Sequence, residues 1–155
     1  MSNGPKVSHE ITLLVRDCCL CLHVQRAARA LARRFDDALR PLDLTNGQFS
    51  LLMSLNRPQP PPMAAVASLL AMDRTTLTAA LKPLERRGLV TVTADAVDRR
   101  SRLMALTRKG MTLLARAVPV WERTHQDIES LLPIGGPKRM RSNLRALSVA
   151  GKDLG

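Results

Sequence analysis

The most constraining feature of the sequence is a capped amphipathic helix followed directly by two alternating segments. Asp73 is a typical N-cap and Gly88 a typical C-terminal stop, which predicts a helix between them. Its inward stripe consists of Leu77, Leu81 and Leu84. Pro83 should kink its last turn. Residues 89–94 and 102–106 then alternate as strands around a polar tip, which predicts a β-hairpin.

Two shorter helices are predicted before this unit. Thr45 and Gln48 have the spacing of a capping box, so a helix should run from there to about Asn56. The proline-rich residues 58–62 cannot continue it and form a stiff connector. Residues 63–72 read as a short apolar helix. Its buried positions are predicted to be Val66, Leu69 and Leu70.

Long apolar stripes flank this central unit on both sides. Residues 11–42 predict one long helix, in which apolar or small residues recur at a spacing of three and four. Its stripe is Leu14, Cys18, Cys21, Ala28, Phe35, Leu39 and Leu42. Thr107 should open a second long helix, bent near Pro119. Its stripe is Met111, Leu114, Val118, Trp121, His125, Ile128 and Leu132.

A final helix is expected after the break at residues 135–137, with Met140, Leu144 and Leu147 on one side. Such long stripes at both ends favour packing against a twin chain. We therefore expect a mainly α fold with a small β-hairpin wing, a winged helix-turn-helix flanked by N- and C-terminal dimerisation helices. Within a single domain, 1–155, residues 10–42 and 108–150 would dimerise and residues 43–107 would form the DNA-binding lobe. A charge at Leu114 or Leu144 should disrupt the dimer.

The charge of the chain points to a polyanionic partner. Its 155 residues carry a formal net charge of +11 with a pI near 11.2, and duplex DNA is the commonest such partner. Aromatic residues, on which readers of single strands stack bases, make up only 2% of the chain. No signal peptide is recognisable in residues 1–10 and no stretch suits a bilayer, so we expect a cytoplasmic protein.

The solvent-facing side of the helix between Asp73 and Gly88 suits a DNA groove. Opposite the leucine stripe lie small, hydroxylated or basic residues: Thr75, Thr78, Ala79, Lys82 and Arg86. No phosphate-binding loop or catalytic arrangement stands out, so we expect neither an enzyme nor a cofactor. An architectural protein that coats DNA without sequence preference remains an alternative.

Three stretches resemble the MarR family of multiple-antibiotic-resistance-type regulators. They are LTNGQFSLL from Leu44, MDRTTLTAALKPLERRGLV from Met72 and DRRSRLMALTRKG from Asp98. The resemblance covers nearly the whole chain. It implies an intertwined homodimer whose two winged lobes read successive major grooves of a pseudo-palindromic operator.

Site residues follow from this resemblance by position. Arg74, Thr75, Thr78 and Lys82 would face bases and phosphates. Arg100 would reach the minor groove from the wing, where a narrow groove attracts arginine, and Asp98 would orient it. Arg99 and Arg102 would contact the DNA backbone.

A cluster of cysteines in the first helix is one candidate site for receiving a signal. Cys18, Cys19 and Cys21 lie together and His23 follows closely. The cysteines are either small buried residues near the dimer seam or an oxidant sensor, since some MarR relatives sense organic hydroperoxides through a first-helix cysteine. Too few ligands are present for a zinc site, so no metal is expected.

Trp121 and His125 lie on the stripe of the second long helix. His125 is either a satisfied core residue or part of an effector pocket, since relatives bind small phenolic or aromatic acids near this position. The leading hypothesis is a repressor released by such an effector. A thiol-based, oxidant-sensing regulator is the alternative.

Overall fold

The computed structural model describes residues 6–150 of the chain. Of the N-terminal residues considered as a signal peptide, 1–5 lie outside the described residues. The elements are α1 (His9–Cys18), α2 (Leu20–Leu39), α3 (Asn46–Ser54), α4 (Met63–Leu70), α5 (Arg74–Arg86), β1 (Val90–Ala94), β2 (Arg102–Leu106), α6 (Arg108–Glu129) and α7 (Gly136–Ala150). The predicted mainly α fold with one β-hairpin is confirmed.

Side-chain caps begin α3, α5 and α6, as the sequence predicts. The Thr45 hydroxyl accepts a bond from the Gln48 backbone N–H at 3.2 Å, and the Gln48 side chain accepts one from the Thr45 N–H at 3.1 Å. This reciprocal pair is the predicted capping box. The Thr107 hydroxyl accepts from the Gly110 N–H at 3.0 Å and donates to the Gly88 carbonyl at 2.6 Å. Thr107 therefore joins the start of α6 to the end of α5.

The hairpin is antiparallel, and its register pairs Val90 with Leu106 and Ala94 with Arg102. The proline-rich connector lies beside it. Pro62 forms an isolated antiparallel bridge with Leu103, and the Met104 N–H donates to the Pro61 carbonyl at 3.2 Å. A proline on such an edge needs no donor of its own. The connector therefore ties α4 to the wing.

The hydrophobic core lies inside the lobe made by α3 to α6 and the hairpin, with the end of α2 packed on it. The three inward leucines of α5 are buried as predicted, and so is Val66. The prediction for Leu69 is wrong, because 61% of its surface is exposed. The core-facing side of α4 carries Met63, Val66 and Leu70, and Leu69 lies at the edge of that side and faces outward.

Leu114 belongs to this core and not to a dimer surface. It is 2% exposed within the protomer, because the first half of α6 packs on its own lobe. The expectation that a charge at Leu114 separates two protomers is therefore wrong. A charge there would be buried without a partner and would destabilise the lobe itself.

The predicted long N-terminal helix is broken at Cys19. This residue adopts extended dihedrals, with φ −72° and ψ 107°, between α1 and α2. A helix bond to the Asp17 carbonyl is lost, and Nε2 of His23 approaches that oxygen at 3.1 Å instead. Neither proline nor glycine marks the break in the sequence. Helix α2 then ends at Leu39, followed by a 3₁₀ turn over Arg40–Leu42.

The outer helices expose apolar side chains. Helix α1 has no buried residue, and on α7 the predicted stripe of Met140, Leu144 and Leu147 is 45%, 40% and 52% exposed. None of the described helices combines the length and apolar character needed to cross a bilayer. The apolar stripes therefore lie on surface helices and are left uncovered in an isolated protomer.

Candidate nucleic-acid interface

Helix α5 is held rigidly at its N-terminus by Asp73. The Asp73 carboxylate accepts bonds from the Thr76 backbone N–H at 2.7 Å and the Thr76 hydroxyl at 2.9 Å. These bonds, the backbone one foremost, lower the pKa of Asp73, so the carboxylate is ionised at neutral pH. The Asp73 cap thus fixes the backbone of the first turn of α5, which carries Arg74 and Thr75.

The outward side of α5 is accessible along its whole length. The exposed residues of α5 are Arg74, Thr75, Thr76, Thr78, Ala79, Lys82, Glu85 and Arg86. The Thr78 hydroxyl donates to the Arg74 carbonyl at 2.8 Å, which fixes its rotamer. Over the eight residue steps from Arg74 to Lys82 the helix rises about 12 Å. This side therefore forms a ridge of mainly small and basic side chains, with the acidic Glu85 near its end, of a length that suits a major groove.

The wing tip is ordered by two aspartates. The Asp95 carboxylate accepts from the Val97 N–H at 2.9 Å, and the Asp98 carboxylate accepts from the Arg100 N–H at 3.1 Å. The Ser101 N–H also donates to the Asp98 carbonyl at 2.8 Å. Asp98 thus contacts Arg100 through its main chain. It fixes the backbone from which the Arg100 side chain projects.

Four of the predicted site residues meet in one cleft between α5 and the wing. This cleft of about 370 Å³ is lined by Arg74, Arg100, Arg102 and Asp98, with Ala64 and Ala67 of α4 on its wall. Three arginines and one aspartate thus line the same cleft, and the aspartate carboxylate is already bonded to main chain. Thr75, Thr78, Lys82 and Arg99 lie outside the cleft, and Lys82 instead lies near Arg86 farther along α5.

The alanines of α4 were missed in the sequence. Ala64 and Ala67 are small enough to let Arg74 and the wing approach each other across α4. Their only signal was their size in an apolar helix, which equally suits ordinary core packing. The bridge between Pro62 and Leu103 brings them to the wing, and a contact so distant in sequence leaves no local pattern.

The cysteine cluster lies at the break between α1 and α2. Cys18 and Cys21 are exposed and Cys19 is half-buried, and all three are free thiols. Gln25 Nε2 donates to the Cys21 sulfur at 3.1 Å. Nowhere in residues 6–150 do three or more potential ligands among His, Cys, Asp and Glu come together as a metal site would need. The thiols of Cys18 and Cys21 are accessible to solvent in the protomer, and that of Cys19 is partly accessible.

Trp121 and His125 connect the lobe to the C-terminal helix. The Trp121 ring stacks on Phe49 with centroids 6.2 Å apart and on His125 at 4.7 Å. His125 Nε2 lies 3.1 Å from Glu129 Oε1, and Glu129 also pairs with Arg141 of α7. The Arg141 guanidinium, the largest influence, lowers the pKa of Glu129. A continuous series of contacts thus runs from α3 through α6 to α7.

An apolar cavity lies beside this aromatic stack. Its volume is about 380 Å³, and Phe49, Met53, Leu69, Val118 and Trp121 line it. His125 is behind Trp121 and does not line the cavity. The exposed side chain of Leu69 forms part of the cavity wall. It places apolar surface at the opening of the cavity between α3, α4 and α6.

The fold and this surface define a winged helix-turn-helix DNA-binding protein. Helices α4 and α5 form the helix-turn-helix, and the hairpin with its basic tip forms the wing. The MarR family model matches residues 44–101, which hold both parts.

Comparisons with known proteins agree with this class. The organic hydroperoxide resistance transcriptional regulator of Bacillus subtilis is 30% identical over 101 residues, 65% of this chain and 69% of that protein. The DNA complex of the Mycobacterium tuberculosis regulator MosR superimposes with a TM-score of 0.80 at 37% identity, covering 88% of this chain and 98% of MosR. The repressor CouR, bound to a 23-mer duplex, gives 0.78 at 28% identity, covering 93% and 99%. The chain belongs to the MarR family of DNA-binding transcription regulators.

Proposed function

We propose that the protein is a homodimeric repressor that reads a two-fold-related operator and leaves it when a small aromatic or phenolic effector binds. The observation that carries the proposal is the convergence of Arg74, Arg100 and Arg102 between α5 and the wing tip. One carboxylate cannot neutralise three guanidinium groups, so the cleft favours a phosphate-bearing partner. The structural relative CouR is itself a transcriptional repressor.

The two parts of the surface have different roles in this proposal. The α5 ridge with Thr75, Thr78 and Lys82 enters the major groove, where hydroxyls, methyls and ammonium groups meet base edges and phosphates. Arg100 extends from the ordered tip into the minor groove, whose negative potential attracts it. Arg99 and Arg102 contact phosphates. Asp98 supports the tip through its backbone bond.

Dimerisation is supported by the apolar stripes that the protomer leaves exposed on its outer helices. Leu14 is 56% exposed on α1 and Leu147 is 52% exposed on α7. Packing these helices against a second copy would bury both stripes and fix the distance between two reading lobes. The operator would then carry half-sites about one turn, roughly 10 bp, apart.

The effector is assigned to the apolar cavity of Phe49 and Trp121. Its aromatic walls suit an aromatic ring, and it lies where α6 leaves the lobe for the outer helices. A ligand there can act only by favouring one spacing of the two lobes over another. Binding would shift the dimer towards the spacing that does not fit the operator.

Selection from random duplexes tests the proposal directly. We expect enrichment of a symmetric sequence that binds about 10³-fold or more tightly than a scrambled duplex at the same salt concentration. Equal affinity for all sequences, with a strong salt dependence, would identify the architectural DNA-coating alternative instead.

Replacing Arg100 with alanine tests the wing. We expect Arg100→Ala to weaken operator binding by about tenfold or more, because a contact in a narrow groove is lost. Fluorescence anisotropy measures the affinity, and light scattering checks that the dimer persists. Arg26→Ala, which removes the same charge from the exposed side of α2, is the control and should bind nearly as the parent does. Unchanged binding by Arg100→Ala would remove the wing from the proposal.

A second candidate signal is oxidation of the cysteine cluster. Two of the three thiols are exposed beside a helix break, and the Bacillus subtilis relative is named for organic hydroperoxide resistance. A thiolate sulfur would attack the peroxide O–O bond, giving a sulfenic acid and releasing an alcohol. The new group would change the packing at the junction of α1 and α2.

This candidate predicts that cumene hydroperoxide lowers operator affinity by about tenfold. Cys18→Ser, Cys19→Ser and Cys21→Ser, tested separately by anisotropy with and without peroxide, should show which thiol is needed. If peroxide still lowers the operator affinity of the triple serine variant, the effect does not depend on these cysteines.

A further inference from the structure

A second basic cleft lies at the base of the wing, away from the DNA-reading surface. It has a volume of about 660 Å³ and is bounded by the end of α5, the start of β1 and the first half of α6. Four of its lining residues are cations: Arg87, Arg108, Lys109 and Arg116. The cleft shares no lining residue with the one between α5 and the wing tip.

The cations are arranged on a rigid frame. Arg108, Thr112 and Arg116 are spaced by four on α6 and therefore share one side of that helix. Two other cations are held by main-chain carbonyls. Arg87 Nη1 donates to the Asp43 carbonyl at 2.7 Å, and Lys109 Nζ donates to the Arg87 carbonyl at 2.8 Å.

The frame itself is closely packed where α6 meets β1. The Thr107 N–H donates to the Leu89 carbonyl at 3.0 Å. A methyl group on Gly110 would lie 2.1 Å from that same carbonyl oxygen. The backbone of α6 is therefore packed directly against the start of β1, which sets two walls of the cleft close together.

Three of the four cations, Arg108, Lys109 and Arg116, have no carboxylate beside them in this cleft, whereas Arg87 also lines a neighbouring cleft with Asp36 and Asp43. No carboxylate lines the basic cleft itself, and none of its four cations takes part in the ion pairs found among residues 6–150. The carbonyl partners of Arg87 and Lys109 are neutral. Like charges gathered without counterions repel each other, so an anion in the cleft would relieve a cost that the folded protein otherwise bears.

The floor of the cleft is apolar. Leu113 is half-buried and Leu89 is almost fully buried at 1% exposure, and both line the cleft, so Leu113 supplies most of the leucine surface that a ligand can reach. The volume of the cleft falls in the range of pockets for small molecules. A ligand that matches it has an anionic group for the cations and an apolar body for the floor.

We propose that this cleft binds a small organic anion, a phosphate or carboxylate group carried on an apolar body. The DNA backbone fits the observations less well, because it is convex and carries no apolar group that would contact the leucine side chains. The cleft also lies at the opposite end of the hairpin from the tip, a five-residue strand or about 17 Å away. The site stands on the protomer alone and does not depend on operator recognition.

Phenyl phosphate is a suitable probe, with inorganic phosphate and phenol as its two halves. Calorimetry and thermal unfolding of the full chain without DNA should show phenyl phosphate binding at least about tenfold more tightly than either half. In Arg108→Gln/Arg116→Gln this affinity should fall about tenfold or more, since charge-assisted bonds are lost. That double variant should unfold at the same or a higher temperature than the parent without ligand, because it lacks the repulsion.

Two further variants sharpen the result. Thr112→Glu places a carboxylate within the cleft and should weaken phenyl phosphate binding similarly. Arg26→Gln/Arg33→Gln removes the same charge from exposed positions on α2 and should bind the probe as the parent does. Equal binding by both double variants, or no preference for phenyl phosphate over inorganic phosphate, would overturn the proposal. A third outcome would also overturn it: the parent does not bind phenyl phosphate, and Arg108→Gln/Arg116→Gln loses affinity for any duplex DNA. The cleft would then be a DNA-backbone contact.

Discussion

Replacing Gly110 with alanine is expected to destabilise the lobe by about 3 kcal/mol. The added methyl group would lie 2.1 Å from the Leu89 carbonyl oxygen and 3.0 Å from the Leu89 carbonyl carbon. Both are main-chain atoms, so the clash cannot be relieved by a rotamer change, and α6 must move away from β1. Urea unfolding at a fixed protein concentration measures the loss, because association of protomers also affects stability.

Gly47→Ala is the matched control for this prediction. Gly47 lies in the first turn of α3, and the atom nearest to an added methyl group is 4.0 Å away. Alanine is the better helix former by up to about 1 kcal/mol, so this variant should be as stable as the parent or more so. Equal losses in the two variants would mean that the contact between Gly110 and Leu89 does not govern the packing of α6.

Leu144→Glu is expected to separate the protomers and reduce operator affinity by about 10²-fold or more. Leu144 is 40% exposed on the apolar side of α7, so the isolated protomer tolerates a carboxylate there. In the proposed dimer the same carboxylate would be buried against apolar side chains without a partner. Loss of the second reading lobe removes the gain from simultaneous binding of two half-sites.

Light scattering and anisotropy together measure this effect. Ser142→Glu adds the same charge on the opposite side of α7, where Ser142 is exposed, and should leave both the mass and the affinity nearly unchanged. A Leu144→Glu protein that remains dimeric and binds the operator normally would show that α7 does not form the dimer surface. Circular dichroism confirms that the variant remains folded.

Local rules were sufficient to predict most of the lobe from sequence. Thr45, Asp73 and Thr107 cap helices because their side chains bond to donors three residues away, and such short-range geometry is visible in the sequence. The hairpin followed from alternation, and the structure pairs Val90 with Leu106 across it. Both signals depend only on neighbouring residues.

Features that depend on distant contacts were not predictable in this way. The stripe of α6 has one period throughout, yet Leu114 packs into the lobe while Met111 is 45% exposed. The break at Cys19 has no glycine or proline to mark it, and the His23 ring contacts the Asp17 carbonyl across it. The basic cleft joins Arg87 to Arg116, which are far apart in sequence and are brought together only by the packing of α6 on β1.

The aromatic stack gives the molecule an intrinsic optical reporter. Trp121 is the only tryptophan in the chain, and it touches Phe49 on the lobe side and His125 towards α7. Any rearrangement that slides α6 against the lobe changes the environment of this single fluorophore. Its emission therefore follows the coupling between the two ends of the protein in real time, without a label and without DNA.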